Sequence, residues 1–223
     1  MKFDEYGYLV TEYEGFPSNI GDSCAETARF VTLQHILGES NKTNLSGFVT
    51  EKGVLRHPTS PWREDDTSDD QTCPLIAATG LVDPELCKKV IDYVVGNGYR
   101  TGNGQLIHPL CYAQIKRIQK SPNQWFYDLS ILGQALLLKF PIRWNDGLKK
   151  VELSKDSSGD YLNFINFLAY AHATETTTLP CILAKLIISD SVAFCKVQDY
   201  YRGKVNTDWM VDIYAKAIKV IWG

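Results

Sequence analysis

Long apolar runs are missing from this 223-residue sequence. Stretches such as Ala135-Leu136-Leu137-Leu138 and Leu186-Ile187-Ile188 fall far short of the roughly 20 residues that cross a bilayer as a helix. No membrane partner is expected. A basic surplus is missing too. Lys and Arg number 23 against 26 Asp and Glu, a formal net charge of -3, and no Lys/Arg run marks a face for phosphates, so no nucleic-acid partner is expected either. Histidine is scarce. His35, His57, His108 and His172 show no paired metal spacing such as H-x-x-x-H, and the Gly-rich stretch Gly96 to Gly104 lacks the Lys-Ser/Thr of a phosphate loop. Neither a metal nor another cofactor is expected.

The six cysteines, Cys24, Cys73, Cys87, Cys111, Cys181 and Cys195, form no C-x-x-C pair. Most lie among apolar neighbours inside expected helices. They read as reduced, buried small hydrophobes, in preference to a disulfide framework or a thiolate metal site. The opening Met1-Lys2-Phe3-Asp4-Glu5 carries acids where a signal peptide is basic, and no apolar segment follows. The expected location is the cytoplasm.

What is present suits one helical domain over residues 1–223. Hydrophobic residues make up 44% and charged residues 22%, the balance of an ordinary globular chain. Residues 6–14 partly alternate and are rich in Tyr, Val and Thr, which predicts a short extended segment. A helix is expected from Asp22 or Ser23 to Gly38, with Asp22 as cap and Glu26 in the first turn. Others are expected over 71–79, from Asp83-Pro84 to Gly96, over 109–119, 123–139, 159–173, 179–197 and 207–222. Residues 39–70 lack periodicity and form the longest irregular segment, a place where function concentrates. The fold class is mainly α. The blocks Gly53-Val54-Leu55-Arg56-His57-Pro58 and Gly104-Gln105-Leu106-Ile107-His108-Pro109 share G-x-L-x-H-P. As a decayed repeat they imply stacked helical hairpins in an α/α-toroid-like arrangement; as a chance match they imply nothing.

Three polar clusters could carry chemistry. Asp22, Glu26 and Arg29 share one helix face at steps of four and three; this is a cap with a surface ion pair, or a polar wall facing a cleft. His57 is a backbone-bonded loop histidine, or a proton carrier beside carboxylates. Glu64, Asp65, Asp66, Asp69 and Asp70 put five acids in seven positions. The segment is a solvated loop with Ser68 or Asp69 capping the next helix, or a calcium loop without the EF-hand spacing. A third account turns Asp70 and Gln71 inward, with one crowded carboxyl raised in pKa as a general acid. Trp62 would then give a flat platform for a sugar. Gly21-Asp22-Ser23 lacks the strand before it and the Asp-x-x-His after it that a serine esterase requires. Asp128 and Asp160 read as helix N-terminal acids.

The set Gly21-Asp22-Ser23 with Arg29, Arg56-His57-Pro58, Trp62 and Ser68-x-Asp70-Gln71 resembles a group of uncharacterised bacteriophage-encoded proteins. The likeness spans about residues 21–80, with Asp69 where that group's pattern has Arg. It implies a viral origin and no particular reaction. Two functions follow as expectations. One is a glycan-active hydrolase with a cleft built from Gly21–Arg29 and Arg56–Gln71: Asp22, His57 and Asp70 catalytic, and Arg29, Trp62 and Gln71 holding a carbohydrate. The other is a non-enzymatic phage protein that binds a host or virion component. The cysteine reading is directly testable. Alkylation of the denatured chain without prior reduction is expected to modify all six thiols, and two or more protected as disulfides would contradict it.

Overall fold

The computed structural model describes residues 1–39, 43–59, 66–140, 142–145, 150–153 and 158–223. The expected extended segment is the middle strand of a small antiparallel sheet. Strands β1 (Lys2–Phe3), β2 (Leu9–Tyr13) and β3 (Phe16–Asn19) follow in that order, with Phe3 opposite Leu9 and Thr11 opposite Asn19. Gly15, at φ 74°, makes the turn. The sheet is fixed to the helices by the Leu9 N–H, which donates to Thr27 Oγ1 at 2.8 Å, and by the Val205 N–H, which donates to the Glu12 carbonyl at 2.8 Å.

Helix α1 (Ser23–Ile36) starts and stops as the sequence predicts, with Gly38 in the left-handed region just past its end. Every residue from Ser23 to Leu33 is buried. A 3₁₀ turn at Leu45–Phe48 leads into the hairpin β4 (Val49–Thr50) and β5 (Gly53–Val54). Helix α2 (Asp69–Val82) begins two residues before the expected start. Ser68 and Gln71 form a reciprocal cap that makes Asp69 the first helical residue. Pro74 thereby falls in the second turn, where the missing N–H leaves the Asp70 carbonyl without its helical donor. Helix α3 (Pro84–Gly96) has Asp83 as its cap, accepting from Leu86 N–H at 3.0 Å. Helix α4 (Pro109–Ile118) is capped by His108, whose Nδ1 accepts from Leu110 N–H at 3.1 Å.

Two expected long helices are broken. Residues 123–139 divide at Asp128 into α5 (Gln124–Tyr127) and α6 (Leu129–Lys139). Residues 179–197 divide into α8 (Leu179–Ile187) and α9 (Asp190–Tyr201), after α7 (Ser158–Ala173). The second break comes at Ser189, a cap that follows an apolar run and opens Ser189-Asp190-Ser191, and whose Oγ accepts from Val192 N–H. Helix α10 (Asp208–Trp222) closes the chain. Its first residue is Asp208, an acid placed where the helix dipole favours it. The hairpin β6 (Ile142–Asn145) and β7 (Lys150–Leu153) was not expected from the sequence, although Asp146-Gly147 between its strands is a turn signal.

α1 separates two apolar clusters. Cys24, Ala28 and Val31 face α2, α3 and α4 through Leu75, Ile76, Val90 and Ile115. Phe30 and Leu33 face α6 to α10 through Ile131, Leu162, Ile165, Cys181 and Tyr214. Apolar surface is left outside on α6 and α8, where Leu137 is 51% and Leu186 76% exposed.

Asp128 does stand at the N-terminus of α6, but inside the protein. It is fully buried and pairs with the Arg117 guanidinium, itself buried. It also accepts from Gln124 Nε2 at 2.7 Å and Thr178 Oγ1 at 2.6 Å, so one carboxylate joins α4, α5, α6 and the entry to α8. Asp128→Asn keeps the shape and strands a buried guanidinium. The expected loss is about 3–5 kcal/mol, read from denaturant unfolding against wild type.

Candidate functional site

The two segments expected to form a cleft do meet, and Arg56 bonds across them, its Nη1 donating to the Gly21 carbonyl at 3.4 Å. Arg56 donates from Nε and Nη2 to the Asp66 carbonyl at 3.0 and 2.8 Å, and its own carbonyl accepts from Cys24 N–H at 3.0 Å. Gln71 belongs to the helix cap. Its Oε1 accepts from Ser68 N–H at 2.9 Å and from Ser68 Oγ at 2.7 Å, and its side chain is buried. His57 is also sealed. Its Nδ1 accepts from Thr59 N–H at 3.2 Å, which puts the ring proton on Nε2, 2.5 Å from Asp4 Oδ2. The rings of Tyr6 and Tyr8 stand edge-on to it at 5.7 and 5.9 Å. His57 therefore ties the irregular segment to the N-terminal sheet and stays 2% exposed. Trp62 lies outside the described residues.

Asp22 precedes α1 without making a capping bond. The Glu26–Arg29 pair is present at 3.7 Å, but inside the protein. Glu26 is fully buried and collects Tyr200 Oη at 2.6 Å, Tyr201 Oη at 2.8 Å and Lys204 Nζ at 3.6 Å. Burial and the adjacent carboxylate push both phenols up, and burial pushes the Lys204 amine down against the pull of Glu26. From this knot Arg29 reaches outward. Its Nη2 donates to Asn163 Oδ1 at 2.9 Å, and Asn163 Nδ2 donates to Asp70 Oδ1 at 3.0 Å. Arg29 and Asp70, two of the residues expected in the site, are thus joined through one amide on α7.

Asp70 opens onto a polar pocket of about 180 Å³ between the starts of α2, α4 and α7 and the side of α6. Asp69, Gln105, His108, Gln134, Asp160 and Asn163 share its wall. The Asp69 carboxyl is raised in pKa: burial is the main cause, the His108 backbone N–H opposes it, and the neighbouring Asp70 charge adds to it. Asp69 Oδ1 is buried without a hydrogen-bond partner. The wall residues Gln105, His108 and Leu110 alternate with Leu106, Ile107 and Pro109. The latter line an open groove of about 610 Å³ with Tyr99, Tyr112, Phe126 and Tyr127. A second cavity, about 20 Å³, lies against the inner side of His108, Leu110 and Asn163, and Cys73 and Cys111 line it.

No protein-family model, curated protein or solved structure matches the chain.

His108 and Asn163 were not assigned to the site from the sequence, although each had a signal. His108 stands in the second G-x-L-x-H-P block, and both histidines take a backbone N–H two residues on at Nδ1. The two blocks share that local turn and differ in what Nε2 meets. Asp160, Asn163 and Asn166 recur at steps of three along the otherwise apolar α7, so they share a face. Asn163→Ala strands the buried Arg29 Nη2 and is expected to cost about 1–3 kcal/mol. Asp70→Asn keeps the Oδ1 acceptor on an exposed residue and is expected to stay within about 0.5 kcal/mol. Thermal unfolding of the two variants side by side checks the order.

Proposed function

We propose that the chain is a hydrolase acting on a glycan, with one sugar residue held in the pocket between α2, α4, α6 and α7. The observation that carries the reading is the wall of that pocket: carboxylates from α2 and α7, Asp70 and Asp160, and the amides of Gln105, Gln134 and Asn163 around about 180 Å³. This is smaller than the roughly 300–1,000 Å³ of pockets for larger ligands, so a single ring enters. Carboxylates flanking a bond supply the proton transfers of glycoside hydrolysis, and amides match sugar hydroxyls. Asp70 is the better placed of the pair, because Asn163 and Arg29 fix its orientation. The ring proton of His108 lies on Nε2, since Nδ1 accepts from Leu110, and makes His108 a donor to substrate oxygen. The groove of Tyr99, Tyr112, Phe126 and Tyr127 offers stacking faces to neighbouring sugars, the part expected of Trp62. Asp22 and His57 have no part in this arrangement. The toroid-like stacking of hairpins belongs to the same proposal; its support is the packing of chain neighbours α2 on α3 and α9 on α10.

A second reading, binding of a protein partner from host or virion, is favoured by the apolar surface that Leu137 and Leu186 expose on α6 and α8. A panel of cell-wall and capsular polysaccharides separates the two. The wild type is expected to release reducing ends from one of them, and Asp70→Asn to slow that release by about 10²-fold or more with binding kept. Turnover unchanged in both Asp70→Asn and Asp160→Asn, or no glycan bound at all, would overturn the hydrolase reading.

A further inference from the structure

Asp69, on the first turn of α2, and Cys73, one turn later, lie on the same face of the helix. Cys111 of α4 faces them. One carboxylate oxygen and the two sulfurs all lie within 4.8 Å of one another, the single such group of three among the described residues. We propose that Asp69, Cys73 and Cys111 form a binding site for a divalent metal ion of the zinc class, at the inner end of the polar pocket.

Three further observations support it. The donor set is borderline to soft, two sulfurs and one oxygen, the combination that selects zinc over calcium or magnesium. Tetrahedral zinc, with Zn–S about 2.3 Å and Zn–O about 2.0–2.2 Å, sets its ligand atoms about 3.5–3.8 Å apart, so rotations of about an ångström close the cluster. Polar groups without partners surround it. Asp69 Oδ1 has none, and the adjoining cavity of about 20 Å³ is lined by Gln114, 3% exposed with neither amide atom bonded, and by Asn166, whose Oδ1 is unbonded. That cavity has room for one water. Three protein ligands leave a fourth position open, and Gln114 and Asn166 are placed to hold a water bound there. The site goes beyond the glycan reading and does not rest on it.

Cobalt(II) is the probe. Added to the reduced full-length protein, it is expected to give a near-ultraviolet thiolate-to-cobalt band and tetrahedral visible bands, both erased by zinc. Zinc measured by atomic emission after gel filtration is expected at about one per chain. Cys73→Ser is expected to weaken the thiolate band. Asp69→Asn is expected to keep that band with looser binding, and the pair Cys73→Ser with Cys111→Ser to lose it. Cys111 is buried, so the wild-type spectrum and stoichiometry stand as the test if the double variant does not fold. A cobalt spectrum without a thiolate band, or zinc binding unchanged in a folded double variant, would overturn the site. A Cys73–Cys111 disulfide in protein isolated with its thiols trapped would do the same.

Discussion

Burying Glu26 is the constraint around which the rest is arranged. A carboxylate removed from water costs several kcal/mol unless its oxygens are met by donors and its charge by a cation. α1 cannot supply enough of these by itself. Arg29 is one turn away, but Tyr200, Tyr201 and Lys204 come from the far end of the chain. The C-terminal end of α9 and the segment after it are held where those donors reach, and the N-terminal sheet, bonded to Thr27 and Val205, is held with them. Such a network is worth more satisfied than half satisfied, which gives α1 one position against its neighbours.

The same network extends through Asn163 to the exposed Asp70. That makes the pocket wall an extension of the core. Three helix starts converge there, those of α2, α4 and α7, and they bring Asp69, Asp70 and Asp160 with them. Acids belong in first turns, where the helix dipole favours them. Their collection at one place follows from where the helices begin. The pocket is accordingly lined by acids and amides, and the two thiols line the small cavity next to it.

Much of the fold was legible in local signals. Asp83-Pro84 started α3, Gly38 stopped α1, and the mainly α class followed from helical spacing with little β-branched alternation. The breaks at Asp128 and Ser189 were not, because apolar residues resume at helical spacing beyond each, although Ser189-Asp190-Ser191 carries a helix-start signal. Asp128 ends a helix to reach Arg117, and that partner is visible only in three dimensions. Of the residues expected in the site, Arg29 and Asp70 are joined through Asn163. His57 was placed with them by type, but Asp4, 53 residues away, takes its Nε2.

The sequence by itself determined which residues start and end helices, since caps, prolines and glycines act within a few residues through backbone geometry. It also determined that Asp22, Glu26 and Arg29 share a face, since that is set by helical pitch. Only the tertiary structure decided that this face points inward, that Asp69 lies deeper than Asp70, and that His108, not His57, borders the pocket. Solvent exposure and charge pairing are properties of what packs against a helix. A chain read residue by residue carries no record of its neighbours across the core.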